Sequence, residues 1–507
     1  MRYIELLASL ALLTCVAAGN ASAQDNGALR VRGVMESLDM EDVRTANSQL
    51  RLDFYASCGL NTYFYAPSDD VSRSAKGWRF LYPERDRKNL LELMNACHER
   101  NMEFVWTIDP GNSYGWNTQD YELLKNKLVV MYHAGVRSFA LAFSGVDALP
   151  SRMNQLKDRL MTEFVAQRRE SVTLALMDEY TIVDYPPQGG GPKALMRGIV
   201  LDDDVRADAV RSSSIVCRMK ERSELSKLSI MSVADFASYP ATYDESVSRE
   251  KAVESLAPEV KDAYLTFIKH SFGENESEGV ETFALAGYTK EKADSLMAEF
   301  RRIAAVPGIM EKCASKELLV ELKPWLTEFG KLGKRGIKVL ECLQHYIDGD
   351  LGSFWIAYIG NLMSAEDIAA YAAYKSGTLK MQPFYETMTE DLINAFTKRM
   401  TGEGSVVSPS RSPADVFSAV DSDFSTSIHV EGRAVLAIPA KATHCHLLTG
   451  PLPSDRSVFL RQIASDGSLV AEFVVRSPYM SMELKKGAVK VDILGNVDVF
   501  ETIFVYL

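Results

Sequence analysis

The chain reads as an α/β protein: a TIM-like (β/α)8 barrel, partly eroded, followed by an α-helical bundle and a C-terminal β-sandwich. From Leu29 to about Tyr239, short β-rich runs alternate with longer helical patterns, the signature of parallel strands joined by helices. From Ser246 to Arg399 helical periodicity is nearly continuous. After Asp415 short alternating strands are broken by Gly, Pro and Asp turns, as in a sandwich. A chain of 507 residues, 47% hydrophobic and 24% charged, is ordinary globular material with room for about three domains.

Taken in order, residues 1–23 read as a signal peptide. Arg2 precedes an apolar run from Leu6 to Ala18, and Ala21-Ser22-Ala23 supplies the small-x-small pattern before Gln24. The expectation is an exported protein, periplasmic or extracellular. Lipid attachment at Cys15 is a second reading, weakened by Thr14 before the cysteine. No later stretch approaches the roughly 18 apolar residues needed to span a bilayer.

The barrel is expected over 24–245. Its eight strands are read at Leu29–Met35, Thr62–Ala66, Glu103–Ile108, Ser138–Phe143, Val172–Met177, Gly198–Leu201, Ser214–Cys217 and Lys227–Val233. Runs such as Phe139–Phe143 barely alternate, as befits a strand covered on both faces. Few residues separate Leu201 from Ser214, so the barrel is expected to be worn on one side.

The bundle is expected over 246–400. Leu318, Leu319, Leu322, Trp325, Leu326 and Phe329 share one helical face, and such a stripe reads as core. The acidic stretch Gly273–Glu281 reads as a solvated loop. Gly, Ser and Pro crowd residues 401–413 and mark a linker. The sandwich occupies 414–507, with strands at Ala434–Ile438, Val458–Ile463, Leu469–Val475, Val489–Ile493 and Thr502–Tyr506. It reads equally as a glycan-binding or a spacer module.

Composition excludes some functions. The net charge of −12 opposes binding to nucleic acid or an anionic membrane. After leader removal six cysteines remain, widely spaced and without a Cys-x-x-Cys pair, which argues against zinc and a dense disulfide framework. His444-Cys445-His446 reads as a half-buried strand, and Asp421-Ser422-Asp423 is too short a signal for calcium. No cofactor or metal is expected.

Several blocks, in order, carry a family resemblance: Arg32-Gly33-Val34-Met35-Glu36, Leu60 through Asp70, Trp78-Arg79 with Tyr82-Pro83, Phe104 through Gly111, Gly135 through Ala140, Ser232 through Phe236 with Tyr243-Asp244, and Glu321 through Trp325. Together they resemble glycoside hydrolase family 84, the O-linked N-acetylglucosaminidases and bacterial hyaluronidase-like enzymes, over roughly residues 30–400. The resemblance implies cleavage of β-linked N-acetylglucosamine with help from the sugar's own acetamide. Two adjacent Asp residues after the fourth strand would do this work, one polarising the acetamide and one protonating the leaving oxygen.

In this chain Ser144 and Gly145 stand at those two positions, and neither exchanges a proton near neutral pH. Ser37 follows Glu36 where the family has glycine, and Ser68 stands where it has a sugar-binding lysine. Tyr180 matches a tyrosine that assists the acetamide, and Asp203 a sugar-binding Asp, within an altered Val200-Leu201-Asp202-Asp203 block. Ser37, Ser68, Tyr180 and Asp203 are therefore the glycan-binding candidates. The leading expectation is a catalytically inactive scaffold that binds a glycan, glycoprotein or other protein. An active hexosaminidase using relocated carboxylates, with Asp147 and Asp203 as candidates, is the alternative. A structural component of the cell envelope is a third.

Overall fold

The computed structural model describes residues 27–37, 47–146, 150–185, 198, 200–219, 224–271, 280–377, 380–402, 404–407 and 414–506. The leader with Cys15, Asp147, nearly all of the acidic stretch and most of the expected linker lie outside the described residues. The chain divides into two compact units, residues 1–258 and 259–507.

The first unit is built on a sheet of seven parallel strands: β1 (Val31–Glu36), β2 (Thr62–Tyr65), β3 (Glu103–Ile108), β4 (Ser138–Leu141), β5 (Thr173–Leu176), β6 (Ile182–Tyr185) and β7 (Ser214–Met219). Their order is β5-β4-β3-β2-β1-β7-β6. The sheet curls without closing, because β5 and β6 are its two edges. Helices such as Glu84–His98, Thr118–His133 and Pro150–Glu163 connect the strands, as parallel crossovers require.

Two of the eight expected strands are corrected. Lys227–Val233 lies within the helix Ser226–Ser238. Its β-branched and apolar composition serves burial, since Leu228, Ile230, Val233, Phe236 and Ala237 are all in the core, and packing overrides strand propensity. The described residues of Gly198–Leu201 form no strand. A strand not anticipated, β6, pairs with β7 in its place, Ile182 beside Val216 and Tyr185 beside Met219.

Inward positions of the strands fill the barrel. Val31, Met35, Phe64, Ala66, Val105, Ala140 and Val216 make one cluster, with Met177, Tyr180 and Ile182 packed against it. Gly33 is fixed by this packing: a Cβ there would stand 2.9 Å from the Phe64 ring and 3.0 Å from Val216. On the opposite face of β1, buried Glu36 accepts hydrogen bonds from the hydroxyls of Tyr55 at 2.6 Å and Tyr63 at 3.0 Å and pairs with Arg51 at 2.7 Å. One carboxylate thus joins β1, β2 and the helix Asn47–Ser57.

In the second unit, six helices between Lys261 and Thr401 precede an antiparallel sheet. The helix Lys316–Asp348 buries Leu318, Leu322, Leu326 and Phe329, so the stripe read from the sequence is core. Its strands are β8 (Ser405–Val406), β9 (Ile428–Ala437), β10 (His444–Thr449), β11 (Val458–Ala464), β12 (Leu469–Val475), β13 (Tyr479–Glu483) and β14 (Ala488–Tyr506). The two expected strands Val489–Ile493 and Thr502–Tyr506 are parts of the single long β14, which pairs with β9 and β11 early and with β10 and β8 late. Part of the expected linker, β8, is woven into this sheet. The sandwich packs on the helices through Trp355, whose indole N–H donates to the Thr449 carbonyl at 2.8 Å and whose ring meets Phe424 and Phe500. All six cysteines among the described residues are free thiols.

Glu36→Ala is expected to lose about 3 kcal/mol in urea unfolding, because it strands the guanidinium of Arg51 and two buried hydroxyls. In the sandwich, His446 stacks on Tyr479 with ring centroids 6.0 Å apart. Burial, assisted by His444, pushes its pKa down to about 4. The folded state keeps this imidazole neutral while the unfolded chain protonates it near 6.5, so its contribution is intact above about pH 6.5 and is lost as pH falls toward 4. Comparing melting temperatures of wild type and His446→Phe between pH 7.5 and 4.5 should show the wild type losing ground in that window.

Candidate active site

The strands of the first unit end on one side, where their following loops converge. Between them lies a cavity of about 670 Å³, inside the range of small-molecule sites. Its lining combines apolar Met35, Met153, Met177 and Ile182 with the hydroxyl-bearing Ser37, Ser68, Ser144 and Tyr180 and the charged Arg73, Asp109, Asp178 and Arg218. Barrel active sites form at this end of the strands.

Four of the residues singled out from the sequence meet here: Ser37 after β1, Ser68 after β2, Ser144 after β4 and Tyr180 after β5. Gly145 completes the turn after β4, with φ at +70° and no atom within 4 Å of where a Cβ would sit. Asp203 is elsewhere. It opens the helix Asp203–Ser212 with a side chain 97% exposed and an ion pair to Arg206 at 3.2 Å, while Asp202 caps the same helix by accepting from the Val205 N–H at 2.8 Å. The acidic triplet after Leu201 therefore serves a helix N-terminus. Asp147 lies outside the described residues.

Charged groups also line the cavity. Asp109, one residue past β3, accepts from the backbone N–H of Ser144 at 3.0 Å and of Gly111 at 3.1 Å through the same Oδ1. It therefore staples the loop after β3 to the turn after β4. Arg73 is buried, donating from Nε to the carbonyl and hydroxyl of Thr107, both at 3.2 Å, and from Nη1 to the Pro67 carbonyl at 2.9 Å. Arg218 pairs with Asp184 across β6 and β7. Asp178 is exposed at the rim. The signal in the sequence for Asp109 was its place after a strand, in Asp109-Pro110-Gly111 within one of the family-like blocks. Arg73 gave none, since it reaches the cavity from within a loop.

Tyr180 leans edge-on against Phe64 with centroids 5.0 Å apart. Burial, with Glu103 and Glu179 adding to it, pushes its hydroxyl up to about 12, so at neutral pH it is a hydrogen-bond donor to whatever enters. The neighbouring block residues are structural. Asp70 accepts from the hydroxyls of Tyr65 and Tyr82 at 3.1 and 2.6 Å, and Arg32 donates to the carbonyls of Gly59 and Leu29.

A curled parallel sheet with an open, polar-edged cavity at its carboxyl ends is a barrel-type α/β architecture. Residues 44–183 match the family model for NAGidase, beta-N-acetylglucosaminidase. Protein O-GlcNAcase of Rattus norvegicus and that of Mus musculus are each 38% identical to this chain over 89 residues. This is 17% of the chain and 10% of theirs, so the chain spans only about a tenth of the length of these relatives. Among solved structures, CpGH84B superposes with a TM-score of 0.60 at 20% identity, covering 71% of this chain and 77% of that one. CpGH84D gives 0.58 at 18% identity, covering 73% and 76%. A mutant of the Thermobaculum terrenum O-GlcNAc hydrolase gives 0.54 at 15% identity, covering 74% and 98%. The structural matches establish a shared fold, and the sequence matches show that residues 44–183 are similar to the β-N-acetylglucosaminidase family model.

Asp109→Ala removes the staple between the loops. Hydrogen bonds to a charged acceptor are worth about 1.5–3 kcal/mol, so the Ser144 amide should exchange with deuterium about 10- to 100-fold faster. Unchanged exchange of the peptide over 142–146 would show that the turn is held by other contacts.

Proposed function

We propose that this protein is an exported glycan-binding relative of the family 84 β-N-acetylglucosaminidases that holds an amino-sugar residue in its barrel without hydrolysing the bond to it. The turn after β4 carries this reading. Ser144 and Gly145 occupy it, and the left-handed φ of Gly145 is a conformation an L-residue adopts only at a cost. The turn offers no group that can deliver a proton to a leaving glycosidic oxygen, and general acid catalysis alone is worth about 10² to 10⁴ in rate. The rest of the cavity still offers what binding needs: an apolar floor for the face of a sugar ring, and the hydroxyls of Ser37, Ser68, Ser144 and Tyr180 for its edges. Export rests on the charged and apolar pattern from Arg2 to Ala23.

A second reading, an active glycosidase with displaced acids, is favoured by the two carboxylates in the cavity, Asp109 and Asp178. Asp109 is a poor candidate because its Oδ1 is already committed to two backbone donors.

Calorimetry with N-acetylglucosamine-terminated glycans, run beside turnover of an aryl N-acetyl-β-glucosaminide, tests the proposal. The expected result is saturable binding, with turnover at least about 10²-fold below that of an active family member assayed in parallel. Turnover at the active level, abolished by Asp109→Asn, Asp147→Asn or Asp178→Asn, would establish the second reading instead.

A further inference from the structure

Trp116 packs against Phe143, a residue of the cavity wall, in an unusual backbone state. Its φ is +54°, in the left-handed region that a bulky residue rarely enters. Such strain persists only where the surroundings over-determine it, and it gathers at ligand clamps. The surroundings here do over-determine it. Asp120 accepts from the Gly115 N–H at 2.6 Å and is held by Arg79 at 2.7 Å, while the Asn117 side chain accepts from the Asp120 N–H at 2.9 Å and starts the helix Thr118–His133.

This clamp presents the indole to a run of aromatic rings leading into the cavity. Trp116 lies 5.1 Å from Phe143, tilted by 33°, and meets Tyr114 edge-on at 5.0 Å. Tyr114 in turn meets Phe143 at 5.5 Å and buried Trp78 at 5.6 Å. Phe143 lines the cavity and directly precedes Ser144. Both Trp116 and Phe143 are only half-buried, and beside them the space at Gly145 is open. The arrangement is a half-buried aromatic face that continues the cavity wall outward from Phe143.

We propose that Trp116, backed by Phe143, forms a second saccharide subsite, stacking the sugar ring next to the one held in the cavity. The inference rests on the sugar-binding reading of the cavity and adds to it that the ligand is an oligosaccharide. A sugar ring has an apolar C–H face that lies flat on an indole, and polar edges that stay in water, which suits a half-buried ring at a rim.

The test is fluorescence and calorimetric titration with N-acetylglucosamine, its β-linked di- and trisaccharides and a glycopeptide bearing the single sugar. The disaccharide should bind at least tenfold more tightly than the monosaccharide and perturb the tryptophan emission. Trp116→Ala should bring the disaccharide down to the monosaccharide level and leave the monosaccharide affinity unchanged, while Trp116→Phe keeps most of the gain. Trp116→Gly, which suits the local φ, gives a second version of the same variant should the alanine form fold poorly. Equal affinity for one and two sugars in the wild type would overturn the subsite while leaving the cavity reading intact. So would a loss in Trp116→Ala that falls equally on both. A gain confined to the glycopeptide would assign the platform to peptide and overturn it as a saccharide site. Binding of none of these ligands would remove the sugar reading itself, and the subsite with it.

Discussion

A parallel sheet must cover both of its faces, and among the described residues the one in the first unit has seven strands where a closed barrel of this kind has eight. Among those residues the inner face is left with a seam between β5 and β6. The chain fills that seam with the short connector 177–181: Met177 and Tyr180 turn inward beside Ile182 and pack on the core around Phe64. This one packing solution sets much else. On their cavity side the same residues become cavity wall. The hydroxyl of Tyr180 is thus carried to the mouth by a ring whose first duty is to plug the barrel.

The mouth is organised by backbone donors more than by charge pairing. The Ser144 N–H and the Gly111 N–H converge on one oxygen of Asp109, so the loops after β3 and β4 move as a piece. At this turn the carboxylate comes from the neighbouring strand and accepts the Ser144 N–H, while Gly145 adopts a φ that best suits a residue with no side chain.

Much of this was legible in the sequence. Strands β1 to β5 and β7 stood out because parallel strands buried on both faces read as apolar runs bounded by turns, and those runs also carry the family blocks. Composition alone failed where burial was shared by another element. Lys227–Val233 looks like a strand, but the helix Ser226–Ser238 is buried along much of its length, and a buried helix and a buried strand have the same residue content. β6 escaped notice because it follows β5 after only five residues, too short for a crossover helix. Ser37, Ser68, Ser144 and Tyr180 were picked out by alignment on the family's motifs, and they meet at the cavity. Asp203, picked out the same way, lies apart from them at the start of a helix. Arg73 and Trp116 owe their importance to loops that meet only in three dimensions, and no spacing announces that.

The same logic bears on the C-terminal sandwich. A module that samples glycans by itself needs an accessible aromatic or polar face, and much of the aromatic surface of this one is turned to the helices that precede it. Phe424 and Phe500 pack on Trp355, Tyr479 meets Phe396 at 5.6 Å, and His446 lies stacked behind Tyr479. The indole N–H of Trp355 finds its acceptor in the Thr449 carbonyl, so cutting the sandwich away would leave a buried donor unpaired on one side and expose several rings on the other. The sandwich and bundle are accordingly one folding entity, in keeping with the single unit 259–507. By contrast, Phe143 in the cavity wall of the barrel and Trp116 packed on it remain half-buried.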